Sequence, residues 1–212
     1  MKLLEERIHI EGPAGQIELI VENPGVPRGI ALICHPHPLF GGSNTNKVTQ
    51  TLARTFAAMG YVALRPNFRG VGESAGNHDY GLGETDDMLA VLAEARRRFG
   101  DLPVALAGFS FGAYVQTRVA QTLAGAGCPA QGLVLVGTAA GHIEGTRQYA
   151  TEAVASDTIV IHGSADETVP LANVLAWAEP MALAVIVVPG ADHFFHRRLH
   201  LIRDIVTRAW RH

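Results

Sequence analysis

The feature that most constrains this chain is a repeated exchange of periodicity: short unbroken apolar runs alternate with longer stretches whose apolar residues recur at helical spacing. Residues 29–34 (Gly-Ile-Ala-Leu-Ile-Cys) form one such run, and residues 61–64, 104–107, 133–136, 159–161 and 184–188 form others. A strand without polar alternation is covered on both faces. Between the runs, residues 46–59 carry Val48, Leu52, Phe56 and Met59 at helical spacing, with Gly60 at the end. Residues 84–99 carry Met88, Leu92 and Ala95, with Gly100 following, and residues 111–123 form a third helix. A short helix over 174–181 is broken at Pro180, and a last one over 199–210 presents Ile202, Ile205, Val206 and Ala209 on one face. Buried strands joined by helices predict a mostly parallel sheet with helices on both faces. Residues 8–10 and 17–21 instead alternate around Gly12, Pro13 and Gly15, which predicts an antiparallel hairpin at a sheet edge. With that hairpin the sheet has about eight strands.

The chain is long enough for one sizeable core and shows no repeat or linker, so one domain over residues 1–212 is expected. Hydrophobic residues at 48% against 17% charged argue against disorder. A formal net charge of −3 supplies no basic field for nucleic acid. Cys34 and Cys128 read as two free thiols. The N-terminus turns acidic at Glu5 and Glu6 before a signal-peptide core can form, and no apolar run approaches the ~18 residues of a membrane span. A cytoplasmic location and no membrane partner are expected.

Three motifs carry chemistry. Gly108-Phe109-Ser110-Phe111-Gly112 stands where the run 104–107 meets the helix beginning at Phe111. A serine between strand and helix sits on a tight turn, and the small residues two before and two after leave room for it, so Ser110 reads as a nucleophile with its hydroxyl above the sheet. The second motif, His162-Gly163-Ser164-Ala165-Asp166, puts an acid just past the run 159–161. That is the sheet edge where open α/β folds place their sites, although the spacing also suits an Asx turn. Glu167 points elsewhere, and Asp157 lies at the opposite end of the strand. The third, Pro189-Gly190-Ala191-Asp192-His193, presents a histidine suited to general-base work beyond the run 184–188. Asp192 is a rival acid, but adjacent residues rarely turn toward one centre.

Ser110, Asp166 and His193 occur in the order serine, acid, histidine, and with this order the chain resembles the α/β-hydrolase superfamily. It is most similar to a compact branch without a cap domain, like dienelactone-hydrolase-like and peptidase-like serine hydrolases. The resemblance runs from Ile30 to the last helix. It includes Cys34-His35-Pro36-His37-Pro38-Leu39-Phe40-Gly41-Gly42 and Arg69-Gly70-Val71-Gly72-Glu73-Ser74. It implies an α/β-hydrolase fold and a Ser110–His193–Asp166 triad. It also implies an oxyanion hole from the amide of Phe111 and one in the 35–42 segment. Pro36 and Pro38 have no N–H, so His37 is chosen as the second donor and Leu39 as the alternative. Leu39, Phe40 and Phe109 flank the site as pocket candidates; Phe194 and Phe195 are assigned to the core. Arg69 is expected to tie loops together, and Ser74 to cap.

Other readings are weaker. Gly70 to Ala75 matches a dinucleotide fingerprint, but no helix follows directly. His193, His196 and His200 have metal-like spacing, yet His193 belongs to the triad, so no metal and no cofactor are expected. Residues 137–158 are too few for a cap and leave room for a loop with one short helix, Ile143, Tyr149 and Ala153 being its apolar contacts. An open site then favours acyl chains of about two to six carbons, since a ligand needs a concave wall to bury more. No Arg or Lys is placed to demand an acidic substrate. The expected activity is hydrolysis of a small-molecule ester, thioester or related acyl compound. A small serine peptidase and a non-catalytic binding protein of the same fold are the alternatives. A monomer and a small homo-oligomer are equally compatible with the sequence.

Overall fold

The computed structural model describes residues 4–143, 145 and 147–211, so the expectation for Met1, Lys2 and Leu3 lies outside the described residues. In chain order the strands and helices are β1 (Leu4–Gly12), β2 (Gly15–Asn23), β3 (Gly29–Cys34), α1 (Lys47–Ala58), β4 (Tyr61–Pro66), α2 (Leu82–Phe99), β5 (Val104–Phe109), α3 (Phe111–Gly125), β6 (Gly132–Val136), β7 (Gly141–His142), β8 (Gln148–Tyr149), β9 (Ile159–Gly163), α4 (Leu171–Ala178), β10 (Val185–Val188) and α5 (Leu199–Ala209). Eight strands form one sheet in the order β1-β2-β4-β3-β5-β6-β9-β10. β1 and β2 pair antiparallel, as do β2 and β4; every later pair is parallel. The predicted edge hairpin and parallel series are thus observed.

Strand parity divides the core. In β3, Ile30, Leu32 and Cys34 face a cluster containing Met88 and Val91 of α2, Val115 and Val119 of α3, and Val174 of α4. Ala31 and Ile33 face the other side, against Val48, Leu52 and Phe56 of α1 and Ile202 and Val206 of α5. Both faces of the strand are therefore apolar, which is why its sequence shows no alternation. Leu32 and Leu106 are fully buried, each a gain of roughly 1.5–3 kcal/mol over exposure.

Local chemistry sets the helix ends. The Asn46 carboxamide accepts from the amides of Val48 (2.9 Å) and Thr49 (3.4 Å), an N-cap worth about 1 kcal/mol. α2 begins two residues earlier than expected, because Glu84 turns back to accept from the amides of Gly81 (2.8 Å) and Asp79 (2.9 Å). Arg69 ties loops as predicted, gripping both oxygens of Asp87 and the Gly83 carbonyl, each at 2.8 Å. Ser74 caps no helix; its hydroxyl accepts from the Glu18 amide and donates to the Asn67 carbonyl, joining β2 to the loop after β4. The hairpin is held to the sheet by Arg65, whose guanidinium meets Glu22 at 2.6 Å with both side chains buried. Removing one member of such a pair costs about 3–5 kcal/mol. Cys34 and Cys128 are free. Among the described residues no helix is long and apolar enough to cross a membrane.

Two expectations about residues 137–158 change. The segment contains the two-stranded ribbon β7–β8 rather than a helix. Its apolar contacts come from Ile143, Tyr149 and Val154, whereas Ala153 is exposed. Tyr149 can anchor the ribbon because its ring packs on Tyr114 of α3, with centroids 5.2 Å apart.

Candidate active site

Ser110 joins β5 to α3 with φ 57° and ψ −118°, a conformation that costs a non-glycine residue on the order of 1–3 kcal/mol. Backbone bonds hold it there: its amide donates to the Val136 carbonyl (2.9 Å), and its carbonyl accepts from Ala113 (3.0 Å) and Tyr114 (3.2 Å). A side chain on Gly112 would run into the carbonyls of Cys34 and His35, so the helix start can approach β3 only with glycine there.

Asp166 follows β9 and His193 follows β10, both at the carboxyl end of the parallel strands. The structure brings them to Ser110. His193 Nε2 lies 3.0 Å from Ser110 Oγ, and His193 Nδ1 lies 2.7 Å from Asp166 Oδ2. All three residues are buried. The Asx turn is present as well, since Asp166 Oδ1 accepts from the amides of Thr168 (2.9 Å) and Val169 (2.7 Å). A carboxylate with two oxygens serves both purposes. Asp192 faces away and binds its own neighbour, His196, through the backbone amide (2.9 Å) and Nδ1 (2.6 Å).

The imidazole of His193 lies between Phe109 (centroids 4.8 Å apart) and Phe194 (5.1 Å). This corrects the placement of Phe109. As the last residue of β5 its side chain turns to the α1/α5 face and is fully buried there with Phe195, beneath the histidine rather than in a pocket wall. Phe195 is core as expected, while Phe194 is 45% exposed.

The amide of Phe111 begins a helix, where N–H groups have no intrahelical acceptor. The amides of Phe111 and His37 donate to no described residue. The Leu39 amide donates to the His37 ring at Nδ1 (3.2 Å), so the alternative donor is already engaged. Burial, then the neighbouring His78 and Arg147, push the His37 imidazole down to about 4, which keeps that ring nitrogen unprotonated and able to accept the Leu39 amide near neutral pH.

A cavity of about 280 Å³ opens beside Phe111 and His37, and Leu39 and Phe40 are among the residues that line it. Sequence reasoning missed several of its residues. Tyr114 was legible in principle, one helical turn beyond Phe111. Tyr149 and Arg147 arrive from the β7–β8 ribbon, and no local pattern announces them. Arg147 stands over the Phe40 ring at 4.6 Å, so a cation does line the site. A further omission is His162, which lies fully buried with Nε2 3.0 Å from the Val169 carbonyl and 3.5 Å from Asp166 Oδ2. Burial pushes its imidazole below the usual value, against the pull of the Asp166 carboxylate.

The sheet order, the strained serine turn and the absence of room for a cap define an α/β serine hydrolase. The chain belongs to the Thioesterase domain family, which its sequence matches over residues 36–202. An α/β serine hydrolase homologue from Coxiella burnetii is 36% identical, with a TM-score of 0.84 and 96% of each chain covered. A serine hydrolase without a lid from Xanthomonas campestris is 34% identical, with a TM-score of 0.86 over 100% of this chain and 95% of that one. An uncharacterised protein of Rickettsia prowazekii is 31% identical over 216 residues, 89% of this chain and 82% of its own length. Family and fold together mark a hydrolase of esters or similar bonds.

Proposed function

We propose that the protein hydrolyses small acyl esters or thioesters through a covalent acyl-enzyme on Ser110. The observation that carries this reading is the continuous hydrogen-bond path from Asp166 through His193 to Ser110. Since a carboxylate only accepts, His193 Nδ1 carries the proton shared with Asp166, and Nε2 is left to accept the Ser110 proton. Ser110 Oγ then attacks the substrate carbonyl carbon while His193 becomes the imidazolium, which the Asp166 charge stabilises. The negative oxygen of the tetrahedral intermediate is bound by the amides of Phe111 and His37. His193 returns the proton to the leaving alcohol or thiol as the bond to it breaks. Water, deprotonated by the same ring, releases the acyl group and restores Ser110. The family match favours thioesters and the open site favours small substrates; no nucleic acid or metal enters the scheme.

Ser110→Ala tests it. Hydrolysis of p-nitrophenyl acetate or an acetyl thioester should fall at least about a thousandfold, because only binding and oxyanion stabilisation remain. Labelling by a fluorophosphonate should disappear with it. A labelled alanine variant would place the nucleophile elsewhere, and an unlabelled but folded wild-type protein would favour a binding role.

A further inference from the structure

The cavity beside Phe111 and His37 is walled mostly by rings: Phe40, Tyr80, Phe111, Tyr114 and Tyr149, with His78. We propose that it is the acyl pocket and that it selects a planar aryl group bearing a phenolic hydroxyl. The proposal rests on reading Ser110 as the nucleophile.

The side of the site follows from the proton path. His193 must hand a proton to the leaving group, so the leaving group departs on its side, past the half-exposed ring of Phe194. The cavity is bounded by Phe111, next to the nucleophile, and by His37, and His193 is not part of its wall. What occupies it is therefore the acyl group.

The choice of an arene follows from the walls. The rings stand edge to face or tilted, with Tyr114 and Tyr149 centroids 5.2 Å apart and Phe111 and Tyr149 6.3 Å apart. Such walls offer both ring faces and ring edges, which an arene complements through its own quadrupole and a saturated ring does not. The mouth agrees: Leu39, Phe40 and Tyr80 are 69%, 66% and 78% exposed, an apolar rim that a ligand would cover.

The hydroxyl follows from polar groups in the wall. The phenol oxygens of Tyr114 and Tyr149 hydrogen-bond to no other described residue and are not sealed from solvent, so a ligand in the cavity can reach them. His78 is fixed by the fully buried Glu84, whose Oε1 is 2.8 Å from Nδ1 and which also accepts from the Asp79 and Gly81 amides. With Nδ1 held by that carboxylate, Nε2 is the remaining polar atom of the His78 ring, which lines the cavity. A purely hydrocarbon ligand would leave these three groups unsatisfied, whereas a phenol both donates and accepts.

Ethyl 4-hydroxyphenylacetate, ethyl phenylacetate and ethyl cyclohexylacetate share a leaving group and nearly a size. The wild-type enzyme should hydrolyse them in that order of kcat/KM, with at least a tenfold span, and Tyr149→Leu should shrink the span at least fivefold. Calorimetric binding of the same esters to Ser110→Ala should follow the same order. Equal kcat/KM in an enzyme that cleaves p-nitrophenyl acetate and labels at Ser110 overturns the aryl pocket and leaves the hydrolase reading standing. An enzyme that neither labels nor cleaves overturns that reading, and the binding order alone then decides the cavity: equal binding overturns it as well.

Discussion

At the scale of the residue, Asp166 shows how one side chain can serve the fold and the proposed chemistry together. Oδ1 closes the turn onto Thr168 and Val169, which fixes the carboxylate, and Oδ2 is thereby aimed at His193. Asp166→Asn would keep an acceptor for the turn but put an amide against the ring nitrogen in one orientation, favouring the wrong tautomer and removing the charge. It should fold normally and lose roughly a hundred- to ten-thousandfold in kcat. Asp192→Asn, whose side-chain partner among the described residues is His196, should stay within a few-fold of wild type. Steady-state kinetics with circular dichroism on both variants distinguishes them, and the reverse pattern would move the acid to Asp192. The choice of His193 among ten histidines was readable because it follows a strand end. His162 was not: sequence position cannot say that a strand residue turns its ring under the neighbouring acid.

At the scale of the element, the strand ends and the connection between β6 and β9 shape the site. The strand ends bring together three loops distant in sequence, because parallel strands in register all finish at the same edge. The connection is too short to cover the serine, yet its ribbon supplies Tyr149 to one wall. Straight-chain acyl esters should accordingly show their highest kcat/KM at about two to six carbons, since no cap among the described residues is there to bury a longer chain. A p-nitrophenyl ester series from acetate to palmitate measures this, and an optimum at ten carbons or more would mean that a covering element forms with substrate. Gly137, where β6 ends, was also unreadable as a site residue. A side chain there would crowd the His193 ring at 3.3 Å, a contact that exists only once β6 and the loop after β10 are side by side.

At the scale of the whole molecule, buried histidines make stability depend on pH. His35 is fully buried, donates from Nδ1 to the Pro36 carbonyl (2.7 Å) and accepts the Phe68 amide at Nε2 (2.9 Å). A second ring proton would face that amide N–H. Burial, the largest cause, lowers its pKa to about 3, and His162 is shifted the same way. The folded value lies below the unfolded one of about 6.5, so the unfolded chain binds the proton first. Stability from this group is complete above about pH 6.5 and is lost as pH falls toward 3, by up to about 1.4 kcal/mol per pH unit. Urea denaturation at pH 8 and pH 5 should show this fall. His35→Gln, which keeps an acceptor for Phe68 but does not titrate, should be less stable at pH 8 and fall less steeply. Equal slopes in the two proteins would exclude His35 as the source.

The sequence by itself determined the layered sheet, its edge hairpin and the three loops of the candidate site, because these depend on short-range periodicity and on residues standing just past strand ends. It misjudged only what local pattern does not encode. The burial of Phe109 depends on which face the last residue of β5 takes, and the engagement of the Leu39 amide depends on the rotamer of His37. The cavity needs the loop after β3, the loop before α2, the start of α3 and the β7–β8 ribbon at once. Its rings are scattered from Phe40 to Tyr149 along the chain, and only packing of the helices and loops on the sheet decides that they meet.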